Sequence, residues 1–145
     1  MTVRPANGAD ASRIAALLAE LGYPDNDPDS VHKRLENWTN HPRSTVLVAE
    51  RDGFVAGVIS VTAIPLLERD GWQGRIVALV TAESARGKGI GRQLVDAAED
   101  FARKNGCGRM EVTSSNRRDA AHAFYRTLGY DNWADRSGRF VKDLI

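Results

Sequence analysis

The sequence predicts an α/β (α+β) domain built around a mixed sheet, and three observations carry that prediction. Short runs of alternating apolar residues recur through the middle of the chain, and Asp-Gly pairs bound them. Segments with apolar residues at helical spacing are interleaved with these runs. The length of 145 residues, with 42% hydrophobic and 27% charged side chains, suits one soluble globular domain over residues 1–145 with its own core. The predicted order is β-α-α-β-β-β-α-β-α-β.

A short strand at Thr2–Pro5 leads into a helix over Asp10–Leu21. Ile14, Leu17, Leu18 and Leu21 follow helical spacing there, and Gly22 stands where a terminating glycine belongs. The stretch Tyr23–Ser30, with three aspartates and two prolines, is a loop by composition. A second helix from about Ser30 to Asn40 carries Val31, Leu35 and Trp38 on one face. Strands at Ser44–Glu50 and Phe54–Ile64 flank Arg51-Asp52-Gly53, a strong hairpin signal. A longer connection through LLERDGWQG reaches a strand at Arg75–Thr81. A glycine-rich segment then opens a helix with Ile90, Leu94, Ala97, Ala98 and Phe101 inward, ending at Asn105-Gly106. RMEVTSS reads as a strand, DAAHAFYRTLG as a helix and RFVKDLI as a final strand.

Several classes of function are disfavoured at once. A formal net charge of +1 is not that of a nucleic-acid-coating or polybasic membrane protein. Cys107 is the only cysteine, so an internal disulfide is impossible and zinc-ligand spacings are missing. The first residues lack the apolar core of a signal peptide, and no apolar run approaches ~18 residues. The expected location is therefore the cytoplasm, away from membranes.

The segment Arg86-Gly87-Lys88-Gly89-Ile90-Gly91-Arg92 carries the functional signal. Glycine costs roughly 0.5–1 kcal/mol relative to alanine inside a regular element. Three at a helix start are expected where backbone must approach something closely. The unpaired N–H groups of a first helical turn, the helix dipole and the cations of Arg86, Lys88 and Arg92 together suit a phosphate or pyrophosphate. Two familiar phosphate loops do not fit. A P-loop needs Lys-Ser or Lys-Thr, and the dinucleotide fingerprint needs glycine at position 92, which is arginine.

R-x-x-G-x-G at a helix start after a strand resembles the acetyl-CoA-binding motif of the GNAT N-acetyltransferase superfamily. The likeness extends to LVT before the loop, EVTSSN after the helix and AHAFYRTLGY beyond, and to the order of elements over nearly the whole chain. The resemblance implies a mixed, mostly antiparallel sheet flanked by about four helices, and acetyl-CoA as co-substrate without a metal. It implies that Arg86, Gly87, Lys88, Gly89, Ile90, Gly91 and Arg92 surround the coenzyme A pyrophosphate. Leu79, Val80 and Thr81 would then offer main chain to the pantetheine arm and acetyl carbonyl, with Asn116 a further cofactor contact. The family usually places such an asparagine seven residues before the tyrosine, whereas here nine separate them.

Acetyl transfer to an amine needs a neutral amine, a polarised thioester carbonyl and a proton for the departing thiolate. Backbone N–H groups near Val80 would serve the carbonyl. Tyr125, at the family's tyrosine position, is the candidate acid, since a phenol is protonated at neutral pH. Glu111 is the candidate base: alternation sets it with Thr113 on one strand face, opposite Met110 and Val112. Many relatives carry a glutamate in the preceding strand, but Val77 stands there. That shifts the role to Glu111, to His122 three residues before Tyr125, or to a water relay. The implied function is acetyl transfer from acetyl-CoA to a primary amine, on a small molecule or a peptide, by direct attack in a ternary complex. The alternative is a non-catalytic acyl-CoA-binding or sensing module. Aspartates 25, 27 and 29 hint at a cationic acceptor, and RFVKDLI offers a strand for homodimer pairing.

Overall fold

A computed structural model describes residues 1–114 and 118–145. Met1–Thr113 and Ser114–Ile145 are two compact units. The first contains β1 (Thr2–Pro5), α1 (Ala11–Leu21), α2 (Pro28–Asn40), β2 (Ser44–Arg51), β3 (Phe54–Pro65), β4 (Trp72–Thr81), α3 (Ile90–Lys104) and β5 (Cys107–Val112). The second contains α4 (Asp119–Thr127). Two 3-10 turns, Gly8–Asp10 and Glu83–Ala85, precede α1 and α3.

The five strands lie in the order of the chain, antiparallel except for the parallel pair β4–β5. As predicted, the β2–β3 hairpin turns on Asp52-Gly53, both with positive φ (54° and 74°). Leu17, Val48, Ile59, Val61, Ile76, Ile90, Leu94 and Val95 form the fully buried centre. Two glycines let α3 lie low on the sheet. A Cβ on Gly57 would stand 2.9 Å from Leu94 Cδ1, and one on Gly74 would stand 3.1 Å from Ala102 Cβ. Alternation from these positions puts Val58 and Val80 on the opposite face, where α1 packs against β3 and β4.

Several boundaries move for local reasons. Helix α2 starts at Pro28 because Asp27 caps it, its Oδ1 accepting from Ser30 N at 2.9 Å, with proline in the first turn. That bond holds the Asp27 carboxyl below its ordinary range, so this aspartate caps α2 while keeping its charge. Asp10 leaves the helix for the 3-10 turn, where both its oxygens accept from the Arg4 guanidinium at 2.9 Å. The buried stripe of α3 is Ile90, Leu94, Val95, Ala98 and Ala102, turned slightly from the predicted one. Arg139–Ile145 is not a strand: Phe140, Val141, Leu144 and Ile145 are exposed and the segment has no ladder partner among the described residues. Apolar alternation alone makes no strand without a neighbour to complete its hydrogen bonds.

Candidate active site

Strand β4 is where the sheet opens. Its ladder with β3 runs from Trp72 to Thr81, but the register steps from Ser60–Ala78 to Val61–Ile76. Val77 is therefore an extra residue, a β-bulge that increases twist and re-aims the strand. The parallel ladder with β5 ends one residue earlier, at Ile76–Val112. Beyond the bulge, Ala78–Thr81 keep β3 on one flank and have no strand on the other among the described residues. Val77 itself is 54% exposed. A position the sequence marked for its missing carboxylate is thus the residue that splits the sheet.

Which main-chain groups face the opening follows from one bond. Ala82 N–H donates to Ala56 O at 2.8 Å, toward β3. In an antiparallel strand, successive residues turn their polar groups to alternate flanks. Val80 therefore spends its N–H and C=O on β3; its oxygen is 3.2 Å from where a Cβ on Gly57 would stand. Leu79 and Thr81 point theirs to the open flank. Of the three strand residues expected to meet the cofactor, the two neighbours of Val80 are the ones whose polar backbone is unpaired by the sheet.

The chain leaves β4 through the 3-10 turn Glu83–Ala85 and reaches α3 at Ile90. Gly87 and Gly89 adopt left-handed φ of 79° and 78°, and nothing lies within 4 Å of a Cβ built on either. Gly89 occupies the N-cap position and supplies no side-chain cap, so the first N–H groups of α3 are not covered by a capping oxygen. Arg86, Lys88 and Arg92 are exposed around this bare turn. The result is an uncapped, electropositive cradle of backbone donors at the end of β4. It has the chemistry an anionic pyrophosphate requires.

Glu111 on β5 is the register partner of Arg75 on β4, and Arg75 is the partner of Thr62 on β3. These side chains share the sheet face away from α3, since Gly74 meets α3. Arg75 Nη1 donates to Glu111 Oε1 at 2.5 Å, and its Nη2 donates to Thr113 Oγ1 at 3.0 Å. The candidate base is therefore one half of a guanidinium–carboxylate pair at the edge of the split. Its Oε2 lies outside that bond. Arg75 escaped sequence reasoning because its partner is 36 residues away and only strand pairing joins them.

In the second unit, Tyr125 stacks edge-on with Phe124 (5.3 Å between ring centroids) and lies 5.8 Å from Tyr130. Burial raises the Tyr125 hydroxyl above the ordinary phenol value, with the Arg118 charge acting in the opposite direction. It is thus held protonated at neutral pH. His122 is in the same helix, with its backbone N–H donating to Arg118 O at 3.0 Å. Asn116 lies outside the described residues. The Ser114 hydroxyl, which the sequence did not single out, is buried without a hydrogen-bond partner among the described residues. No group of three or more metal-ligating side chains gathers among the described residues, and no helix there is long and apolar enough to cross a membrane.

The description "Acetyltransferase (GNAT) family" matches residues 13–130. The chain belongs to the GNAT family. It is accordingly an N-acetyltransferase, an enzyme that moves an acetyl group to an amine. Among curated relatives, the aminoalkylphosphonate N-acetyltransferase of Salmonella typhimurium is 32% identical over 128 residues, covering 88% of this chain and 83% of the relative. A GNAT family acetyltransferase of Staphylococcus aureus has a structure superposing with a TM-score of 0.80 at 25% identity, over 99% of this chain and 98% of that one. A protein described as a transcriptional regulator from Bacillus halodurans C-125 superposes with a TM-score of 0.86 at 28% identity, over 99% of both chains. Among the described residues, the mostly antiparallel sheet with one parallel pair and four helices agrees with the fold expected of this GNAT protein.

Proposed function

We propose that this GNAT enzyme takes acetyl-CoA as donor and a small-molecule primary amine as acceptor. The observation that carries the reading is the union, within one unit, of the free β4 flank at Leu79 and Thr81 with the bare cradle at Gly87–Arg92. A pantetheine arm carries two amides and can pair with Leu79 and Thr81 as an added strand would. Arg86, Gly87, Lys88, Gly89, Ile90, Gly91 and Arg92 hold the pyrophosphate. Val80 contributes its buried side chain as the floor of the strand, and Asn116 is a further contact proposed on its motif position. Acetyl-CoA supplies an activated acetyl thioester when bound.

The chain's own groups then divide the work. The Leu79 N–H, two residues beyond the bulge and on the open flank, donates to the acetyl carbonyl as charge develops on its oxygen. Glu111, anchored by Arg75 through Oε1, presents Oε2 to draw in an ammonium group and accept its proton directly or through water. The Tyr125 hydroxyl donates to the departing thiolate. Both the Salmonella relative and the Arg75–Glu111 pair favour an acceptor that itself carries both charges, such as an aminoalkylphosphonate. A cytoplasmic, metal-free enzyme acting as one domain, or pairing with a second copy, belongs to the same proposal.

Two experiments test it. Thermal-shift titration should show stabilisation by coenzyme A well beyond that by ATP or NAD. An acetyl-CoA consumption screen over aminoalkylphosphonates, amino sugars, polyamines and peptides should find turnover, with Tyr125→Phe and Glu111→Gln as controls. Indifference to coenzyme A would sink the donor assignment. Turnover on peptides alone would sink the acceptor class.

A further inference from the structure

We propose that Glu20 is a positioning residue for the cofactor loop: from α1, its carboxylate caps the 3-10 turn Glu83–Ala85 that leads into Gly87–Arg92. The inference rests on reading that loop as the coenzyme A pyrophosphate site.

A helical turn begins with N–H groups that have no partner inside it, and the residue just before normally supplies an oxygen. That residue is Ala82 here, and it makes no side-chain cap. Three neighbouring main-chain donors find backbone acceptors close by. Ala82 N–H reaches Ala56 O at 2.8 Å, Ala85 N–H reaches Ala82 O at 2.9 Å, and Arg86 N–H reaches Glu83 O at 3.3 Å. Glu83 N–H remains. It donates to Glu20 Oε1 at 3.0 Å, across 63 residues of sequence. The cap is supplied in trans, and its negative charge also suits the start of a helical turn.

The helix that carries this acceptor is itself held firmly. Ile14, Ala15 and Leu17 bury the inner face of α1, and Gly22 closes its end with bonds from Gly22 N to Ala19 O and from Tyr23 N to Leu18 O. The turn it caps is rooted by the buried methyls of Ala82 and Ala85. Beyond Ala85 the chain is exposed through Gly89 and regains a buried anchor only at Ile90. The turn therefore sets the direction in which the glycine loop leaves the sheet. An exposed bond of this kind adds little to global stability. Donors that must converge on one ligand, however, lose affinity when displaced by a fraction of an ångström.

The test is calorimetric titration of coenzyme A into the full chain and into Glu20→Ala and Glu20→Gln. Amide hydrogen exchange is read in parallel over Glu83–Arg92 without ligand. Glu20→Ala should weaken coenzyme A binding by about five- to tenfold, the size of a lost cap. It should speed exchange at Glu83 and along the loop while lowering the thermal midpoint by no more than a few degrees. Glu20→Gln keeps an oxygen acceptor and should recover most of the affinity and protection. Wild-type affinity in Glu20→Ala, or unchanged loop exchange, overturns the proposal and leaves the donor assignment standing. Failure of the wild-type chain to bind coenzyme A removes the donor assignment instead; the exchange data then judge the cap alone. A Glu20→Gln variant as weak as Glu20→Ala also overturns it, because an oxygen acceptor would then not be what matters.

Discussion

Gly57→Ala offers a sharp test of how the sheet seats α3. Gly57 is in a strand interior without a positive φ, so alanine there gains about 0.5–1 kcal/mol of backbone preference. Against this, the new methyl would meet Leu94 Cδ1 at 2.9 Å, Ile90 Cγ2 at 3.1 Å and Val80 O at 3.2 Å. The Leu94 methyl can rotate away, but the carbonyl and the branched Ile90 side chain cannot. Overpacking of this kind costs about 1–3 kcal/mol, leaving a net loss of roughly 1–2 kcal/mol. For a chain of this length that is a fall in thermal midpoint of about 2–8 °C. Ile90 opens α3, so the same strain should move the cradle and weaken coenzyme A binding severalfold. Gly74→Ala is the control. Its methyl would press on Met110 Sδ (2.9 Å) and Ala102 Cβ (3.1 Å), at the other end of the helix. It should lower the midpoint similarly and leave coenzyme A affinity in place. Calorimetry on both variants decides the matter. Equal affinity losses in the two, or an unchanged midpoint in Gly57→Ala, would refute the seating argument.

Three further outcomes are expected. Tyr125→Phe should lower turnover by about a hundredfold or more, followed by thiol release, with coenzyme A affinity intact. Because burial raises the Tyr125 hydroxyl, the alkaline loss of activity due to it should fall above the ordinary phenol value near 10. Glu111→Gln should reduce turnover by about tenfold or more, and Arg75→Gln should raise the acceptor KM; an unaltered acceptor KM would remove Arg75 from the site. Asp10→Ala should destabilise the fold by about 1–3 kcal/mol in urea melts, since it removes the two-oxygen acceptor of Arg4 and the acceptor of Asn7 N–H, leaving Arg4 only Glu50 at 3.6 Å. The Arg4 bond holds the Asp10 carboxyl below its unfolded value of about 3.9. Its contribution is therefore complete above about pH 4 and is lost as pH falls through the lower, folded value. Asp10→Asn should flatten that acid limb.

Much of the fold was legible because its determinants are local. Gly22 ends α1, Asp52-Gly53 turns the hairpin, and the glycines at 87 and 89 announce a bare helix start within a few residues of where they act. What stayed hidden depends on residues far apart. The bulge at Val77 exists only through the register with Ser60 and Val61; alternation in the sequence runs straight past it. Glu111 reads as a solitary strand carboxylate until the β4–β5 ladder brings Arg75 opposite. Glu20 reads as a solvated helix charge until folding carries Glu83 N–H to it. Arg139–Ile145 shows the reverse error: a local pattern that suggests a strand, with no ladder to join.

The split beyond Ile76–Val112 has a cost outside catalysis. A strand flank with unpaired main-chain donors and acceptors is a template for any extended peptide, including another copy of the same chain. Charge, proline or a covering strand usually blunts such edges, yet Ala78-Leu79-Val80-Thr81 carries neither charge nor proline. A ligand that pairs along this flank completes the sheet as it binds. As the proposed ligand of that flank, coenzyme A would also guard against aggregation, and ligand-free protein should associate at concentrations where the saturated form stays dispersed.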